Sequence, residues 1–257
     1  QAEYGRIAVV CDDGYKSFYQ LALPVFEDFG IPVTFSIIPS LVGTGNFMTE
    51  AMLRDLVARG HDVVAHGPEG GAGNLFTTHA TDEAAIADVI ATRDWINARG
   101  LNPRGAADIC YVWPQGNYAR TAGDSSFLDR MTAQGFRIGR VASPGSTLTA
   151  IAGRSVSPTA QTRLVQPIIG HTYAGATNTA DDATETTNIT TITGRITELQ
   201  TQRKDGFLML HSVVKRGAAT SGGLSIEMDR LVTLATAIRD GVLTGRLMAV
   251  RMAQLLP

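Results

Sequence analysis

Residues 6–38 read RIAVVCDDGYKSFYQLALPVFEDFGIPVTFSII. The opening RIAVVCD and the closing IPVTFSII are short, apolar, β-rich runs. Between them, residues 17–29 carry amphipathic spacing and stop at Gly30, a usual helix end. Strand, helix and strand in that order predict a βαβ unit and two parallel neighbours in one sheet. The alternation then continues along the chain. A helix over 50–59 stops at Gly60, and a strand over 61–66 (HDVVAH) runs into a Gly-rich loop over 67–74. A long helix over 82–99 closes at Gly100, and a strand is predicted over 106–113. A helix over 125–134, a strand over 136–141 and a turn-rich segment with Pro144, Pro158 and Pro167 follow. A Thr-rich stretch from Thr184 leads into a helix ending near Lys204, then a strand over 206–212, a helix over 226–239 and a strand over 246–251. Seven or eight strands in this rhythm predict an α/β fold whose mostly parallel sheet closes, or nearly closes, into a barrel. The stretch 142–162, rich in Ser, Gly and Pro, reads as a long barrel loop, so residues 1–257 read as one domain.

Composition agrees with a globular chain. Hydrophobic residues make up 44% and charged residues 18%, enough for a core and too little charge for disorder. The net charge is −2 with no block of like charges, which argues against a nucleic-acid partner held by a basic face. No apolar run is long enough to span a membrane, and the N-terminus lacks a basic-then-apolar signal pattern. A first residue Gln1 reads as a processed mature chain or a piece of a longer polypeptide. Cys11 and Cys110 lie in apolar runs and read as core thiols; a bridge between them would need adjacent strands.

In such sheets, polar residues at the C-terminal strand ends carry the chemistry, because the following loops converge there. The first strand ends in Asp12-Asp13-Gly14. Strand neighbours point to opposite faces, so both carboxylates reach one site only if the chain turns, which Gly14 permits. Asp-Gly is also an ordinary turn signal. His66 closes the third strand, and His79 stands at the entrance of the next helix. Neutral imidazoles plus a carboxylate make a usual catalytic zinc set, although either histidine also fits a hydrogen-bonded loop or core position. His211 emerges from the apolar run 207–210, where a titratable ring can act as a general acid or be a satisfied structural residue. Trp113 and Tyr118 flank Pro114-Gln115-Gly116-Asn117, a turn that can offer flat faces to a sugar ring or simply pack. His61 reads as structural, and His171 follows another apolar run.

The order of these features is more informative than any one of them. Asp-Asp-Gly after the first strand, Gly60-His61-Asp62-Val63-Val64-Ala65-His66 before a helix, Trp113-Pro114-Gln115-Gly116 after a middle strand and Met209-Leu210-His211 near the end resemble the polysaccharide deacetylase family, the NodB-homology carbohydrate esterases. The resemblance runs from about residue 6 to 255. It implies a distorted (β/α) barrel of about seven strands and metal-dependent removal of acetyl groups from N-acetylated sugars. It further implies Asp12 as catalytic base, Asp13 and His66 as metal ligands, and His211 as general acid. The family's second motif has another histidine four residues after the first; that position here is Gly70, so a loop insertion over 67–78 is expected to let His79 serve as third ligand. The third-motif Arg, which would contact the base, is replaced by Val112, with Arg140 on a later strand as the candidate source of positive charge. No clear fourth-motif Asp lies between residues 141 and 180.

The expected cofactor is a divalent metal, Zn²⁺ foremost with Co²⁺ or Ni²⁺ as alternatives, and the expected partner is an acetylated glycan of a bacterial surface or wall. Trp113, Gln115, Tyr118 and Arg140 are the side chains expected around that substrate. A backbone N–H of the 113–117 turn is expected to help the metal stabilise the oxyanion. The substrate implies an extracellular or cell-surface location, a phage particle included, and the sequence carries no signal for an oligomeric state. Two other readings stay open: an O-acetyl esterase or other amidohydrolase, and a non-catalytic glycan-binding or structural domain.

Overall fold

Seven short parallel strands carry this architecture, and five of them are buried on both faces throughout, as expected where helices cover the outside and side chains fill the inside. The computed structural model describes residues 3–67, 73–121, 124–144, 163–164, 166–171, 182–215 and 225–256. Strands β1 (Gly5–Cys11), β2 (Val33–Ile37), β3 (Asp62–His66), β4 (Cys110–Val112), β5 (Ile138–Pro144), β6 (Gln166–His171) and β7 (Asp205–Leu210) pair in sequence order, and β7 returns to β1. Strand β1 pairs on one side with β7 along Arg6 to Cys11. Its other side is shared: β2 takes Val9 to Cys11, while β10 (Leu247–Ala249) takes Gly5 to Ile7. The distorted α/β barrel is thus closed above by β2 and below by β10.

Around it lie α1 (Leu23–Asp28), α2 (Glu50–Ala58), α3 (Leu75–Thr78), α4 (Asp82–Ala98), α5 (Ala106–Ile109), α6 (Ser126–Ala133), α7 (Asp182–Gln202) and α8 (Met228–Leu243). Thr49 and Thr81 cap α2 and α4 by accepting from the N–H groups of Met52 and Ala84. A short parallel ribbon, β8 (Ser212–Val214) with β9 (Ser225–Glu227), follows β7.

Strand parity sorts the core into two. Ile7, Val9 and Cys11 face the helices together with Phe18, Phe26 and Phe35, whereas Ala8 and Val10 face the barrel interior with Val64, Cys110, Val112, Ile138, Phe207 and Met209. Met252 and Leu255 close the interior from below. At that end Arg6 and Asp205, register partners across the β1–β7 seam, form a buried two-pronged ion pair at 2.9 and 2.7 Å.

Two local expectations are corrected, and the reading of the cysteines as core thiols holds. The stretch 106–113 is not one strand: one helical turn, α5, precedes the three-residue β4, entered through Gly105 in the left-handed region (φ +72°). Strand β6 runs through Pro167, which a reading by breaker residues treats as turn. Cys11 and Cys110 are buried free thiols on β1 and β4, which are not neighbours, so no bridge links them. The expected loops over 142–162 and 67–74 fall mostly outside the described residues, at 145–162 and 68–72.

Gly139 on β5 gives a direct packing test. A Cβ there would lie 2.1 Å from the Leu164 carbonyl oxygen and 2.8 Å from Trp113 Nε1, inside the hydrogen bond those two atoms make at 2.5 Å. Gly139→Ala is expected to destabilise the fold by about 1–3 kcal/mol. Urea unfolding followed by Trp fluorescence should show a lower midpoint, and an unchanged midpoint would refute the assigned packing.

Candidate active site

The interior parity that places Ala8 and Val10 in the barrel continues upward into polar residues. Asp12 on the β1 extension, Ser36 on β2, His66 on β3 and Arg140 on β5 form a buried layer at the C-terminal strand ends. The backbone N–H of Asp12 donates to Leu210 O at 2.8 Å, holding the residue against β7. Beyond it the chain turns at once. Asp13 has φ +63° and Gly14 φ +73°, and the first of these is a conformation that Asp tolerates better than most residues, at about 1–3 kcal/mol of strain. The turn brings Asp13 back over the same opening, so adjacent carboxylates serve one site.

His66 has a defined tautomer in its neutral form. Its Nδ1 lies 2.9 Å from Val112 O, which can only accept, so Nδ1 carries the proton and Nε2 keeps its lone pair. Nε2 faces Asp13 Oδ1 at 3.3 Å and Asp12 Oδ2 at 4.0 Å. Burial disfavours the imidazolium, but Asp12, Asp13 and the Val112 carbonyl outweigh it and raise the His66 pKa. A proton and a cation therefore compete for the same nitrogen.

Asp12 is held from the other side. Both of its carboxylate oxygens accept from Arg140 Nη2, and Oδ1 also accepts from the Ser36 hydroxyl at 3.0 Å. Burial alone would push the Asp12 carboxyl up; Arg140, His66 and His211 together overcome it and hold the pKa below the usual carboxylate value. His211 Nε2 lies 3.7 Å from Asp12 Oδ2, so Oδ2 looks into the opening between two imidazoles. Burial lowers the His211 pKa, with Asp12 and Asp13 opposing it. Its backbone is fixed by Cys11 Sγ, which donates to His211 O at 3.3 Å, and by the nearby Val213 N–H, which donates to Ser17 Oγ at 3.0 Å. At the rim, burial and then the charge of Asp13 push the Tyr15 hydroxyl up to about 12, so it stays a neutral phenol.

Asp13 and His66 fit two positions of a divalent cation. Tetrahedral bonds of about 2.0–2.1 Å set neighbouring donor atoms about 3.3 Å apart, which is the separation of Asp13 Oδ1 and His66 Nε2, 3.3 Å. His79 does not supply the third. It follows α3 in the helical layer, and its Nε2 faces Asp88 Oδ2 of α4 at 3.2 Å. Among the described residues no three His, Cys, Asp or Glu side chains converge on one metal position.

The turn after β4 also differs from expectation. Trp113 is fully buried, donating to Leu164 O and packing edge-on against Tyr111, so it has no face for a sugar. Arg140 is likewise fully buried and acts on Asp12 rather than touching substrate. Gln115 is exposed and Tyr118 half-buried against the core, leaving these two at the surface. The N–H groups of Trp113, Gly116 and Asn117 donate to Arg140 O, Trp113 O and Pro114 O, and are therefore committed within the chain. The sequence reading passed over Ser36; its signal was two polar residues, Thr34 and Ser36, at inward spacing in an otherwise apolar strand.

Comparison with known proteins gives the family and the fold. The family model for polysaccharide deacetylase matches residues 2–138, and the chain belongs to that family. The match covers Asp12, Asp13 and His66 and ends before Arg140 and His211. Among solved structures, the catalytic domain of a peptidoglycan N-acetylglucosamine deacetylase from Eubacterium rectale is 14% identical with a TM-score of 0.53, covering 100% of this chain and 92% of that one. A family 4 carbohydrate esterase from Streptomyces lividans in complex with acetate is 12% identical with a TM-score of 0.54, covering 96% and 93%. At these identities the likeness is one of fold. The chain spans little more than half, 56%, of the Streptococcus pyogenes deacetylase PplD in complex with acetate, which is 18% identical over 54% of this chain with a TM-score of 0.45. No curated protein shows significant similarity to the chain.

The Arg140–Asp12 pair should behave as a coupled unit in unfolding. Removing one partner of such a buried pair costs about 3–5 kcal/mol, so Arg140→Met and Asp12→Asn are each expected to destabilise strongly, and the double variant by much less than their sum. The lowered Asp12 pKa gives the sign with pH. Its stabilising effect is present above the unfolded carboxyl value of about 3.9 and is lost as pH falls through the folded value. Guanidinium titrations between pH 3 and 7 check both points; additive energies would remove the coupling.

Proposed function

We propose that this domain, over residues 1–257, is a metal-dependent deacetylase that removes N-acetyl groups from a bacterial surface or wall polysaccharide. The observation that carries the reading is Asp12 Oδ2, held by Arg140 beside the Ser36-bound Oδ1 and set between His66 and His211, with Asp13 next to His66. Membership of the deacetylase family supports it. A divalent cation held by Asp13 and His66 would supply Lewis-acid polarisation of the acetyl carbonyl and acidify bound water.

The chain's own residues account for the proton movements. Asp12 Oδ2 takes the proton of the attacking water, and its ionised state at neutral pH suits a base. Arg140 binds both Asp12 oxygens and the Ser36 hydroxyl holds Oδ1, which orients the carboxylate with Oδ2 towards His66 and His211. His211, on the other side of Oδ2, is placed to deliver a proton to the departing amine, which leaves poorly as an anion. The Val112 carbonyl keeps the proton of His66 on Nδ1 and so reserves Nε2 for a cation. A polymer of a wall or capsule is met outside the cytoplasm, so an extracellular or surface location goes with this reading.

The test combines acetate release from an N-acetylglucosamine oligomer with elemental analysis of protein purified without chelator. Wild type is expected to hold about one Zn²⁺, Co²⁺ or Ni²⁺ per chain and to release acetate. Asp12→Asn should retain the metal and lose at least 100-fold in kcat. Asp13→Ala and His66→Ala should lose the metal, whereas His79→Ala should keep it, because that ring is engaged with Asp88. Full activity of Asp12→Asn would sink the proposed base. Acetate released from O-acetyl but not N-acetyl sugars would turn the reading to an esterase, and no turnover in metal-loaded wild type would turn it to a glycan-binding domain.

A further inference from the structure

Asp12 and Asp13 are only 3% and 6% exposed, so a glycan cannot lie on them; its acetyl group must reach in while the sugar ring stays at the rim. The rim beside Asp13 is aromatic. Tyr15, two residues on, and Phe47, from the loop between β2 and α2, pack ring on ring with centroids 4.9 Å apart and planes inclined by 30°. Both are half-buried, and among the described residues neither ring joins either apolar cluster of the barrel. They therefore serve each other and the surface rather than the core.

The two loops that carry them are fastened together. Met48 N–H donates to Gly14 O at 2.8 Å, Lys16 N–H donates to Asn46 O at 2.7 Å, and Lys16 Nζ donates to Gly45 O at 3.2 Å. Tyr15 and Phe47 form an antiparallel bridge between these bonds. Two large apolar rings with few rotatable bonds, held by backbone hydrogen bonds next to a polar opening, make a contact surface that loses little entropy on binding. A hexopyranose ring offers the complementary surface, since its axial C–H groups form an apolar face between hydroxyl edges. Trp113, expected for this task, lies in the core and is not available for it.

We infer that Tyr15 and Phe47 form the platform on which the pyranose ring of the acetylated glycan rests, fixing its acetyl group towards Asp12 and Asp13. The choice of ligand rests on the deacetylase reading; the platform itself rests on the rim geometry.

Calorimetric binding of a β-1,4-linked N-acetylglucosamine tetramer, with acetate release followed in parallel, tests it. Phe47→Ala and Phe47→Leu are both expected to weaken binding about tenfold. The leucine variant keeps apolar volume against Tyr15 and guards against a folding defect, which thermal melts will reveal. Tyr15→Phe, which keeps the ring, should bind within about twofold of wild type, and Tyr15→Ala should match Phe47→Ala. Equal binding by wild type and both Phe47 variants, or no binding by wild type, overturns the platform. Weaker binding by the Phe47 variants in a protein that releases no acetate upholds the platform and overturns the deacetylase reading instead.

Discussion

The upper layer of the barrel is organised around one buried ion pair, Arg140 with Asp12. Arg140 is completely inaccessible, and its guanidinium crosses the interior from β5 to the end of β1. A guanidinium in such a place is tolerable only with a carboxylate opposite, and the carboxylate stays ionised there because the guanidinium, with His66 and His211, offsets the cost of burial. Ser36 adds a hydrogen bond to Oδ1, and Met209 Sδ lies 2.7 Å from Arg140 Nη1. Register makes this possible: Val112 pairs directly with Arg140 on one side and with His66 on the other. A positive charge absent from β4 is thereby supplied by its neighbour.

Two histidines of one short segment show how hydrogen-bond direction separates structure from chemistry. His61 accepts the Val33 N–H on Nδ1 and meets Glu27 through Nε2 at 3.0 Å, so both ring nitrogens are committed below the sheet. Burial lowers its pKa despite Glu27. His66, at the far end of the strand that His61 immediately precedes, donates from Nδ1 to a carbonyl and leaves Nε2 facing carboxylates. The ring type is the same; the partner of Nδ1 commits one to the scaffold and leaves the other's Nε2 to the candidate site.

What could be read in the sequence was what depends on nearby residues. The βαβ rhythm, the turn at Asp12-Asp13-Gly14, and the strand-end positions of His66 and His211 all follow from local pattern, and the barrel of about seven strands follows from their sum. The contact of Arg140 with Asp12 spans 128 residues and exists only through strand register, so the sequence could offer Arg140 as a candidate without fixing what it touches. Trp113 looked available because a Pro-Gly turn follows it, yet strand parity turns it towards the helices and α6. His79 looked like a displaced ligand because a helix entrance follows; the carboxylate it meets, Asp88, is two turns into that helix, and no local pattern announces it. Tyr15 and Phe47 lie in turns with no periodicity, and only the bridge between two loops makes them a pair.

The sharing of one edge of β1 between β2 and β10 bears on how the chain folds. β1 meets β2 nearby in the chain, but β7 joins its other edge across a separation of 199 residues (Arg6 to Asp205), and β10 pairs its lower half from further on still. Until both have paired, its backbone groups face water or the wrong partner, and Arg6 lacks Asp205. Closure therefore joins segments far apart in sequence, a high-contact-order step that is slow and exposed to misassembly. The seam that supports Asp12 from β7 thus depends on a long-range pairing, so the Asp12 carboxylate comes into its final setting only once most of the barrel is in place.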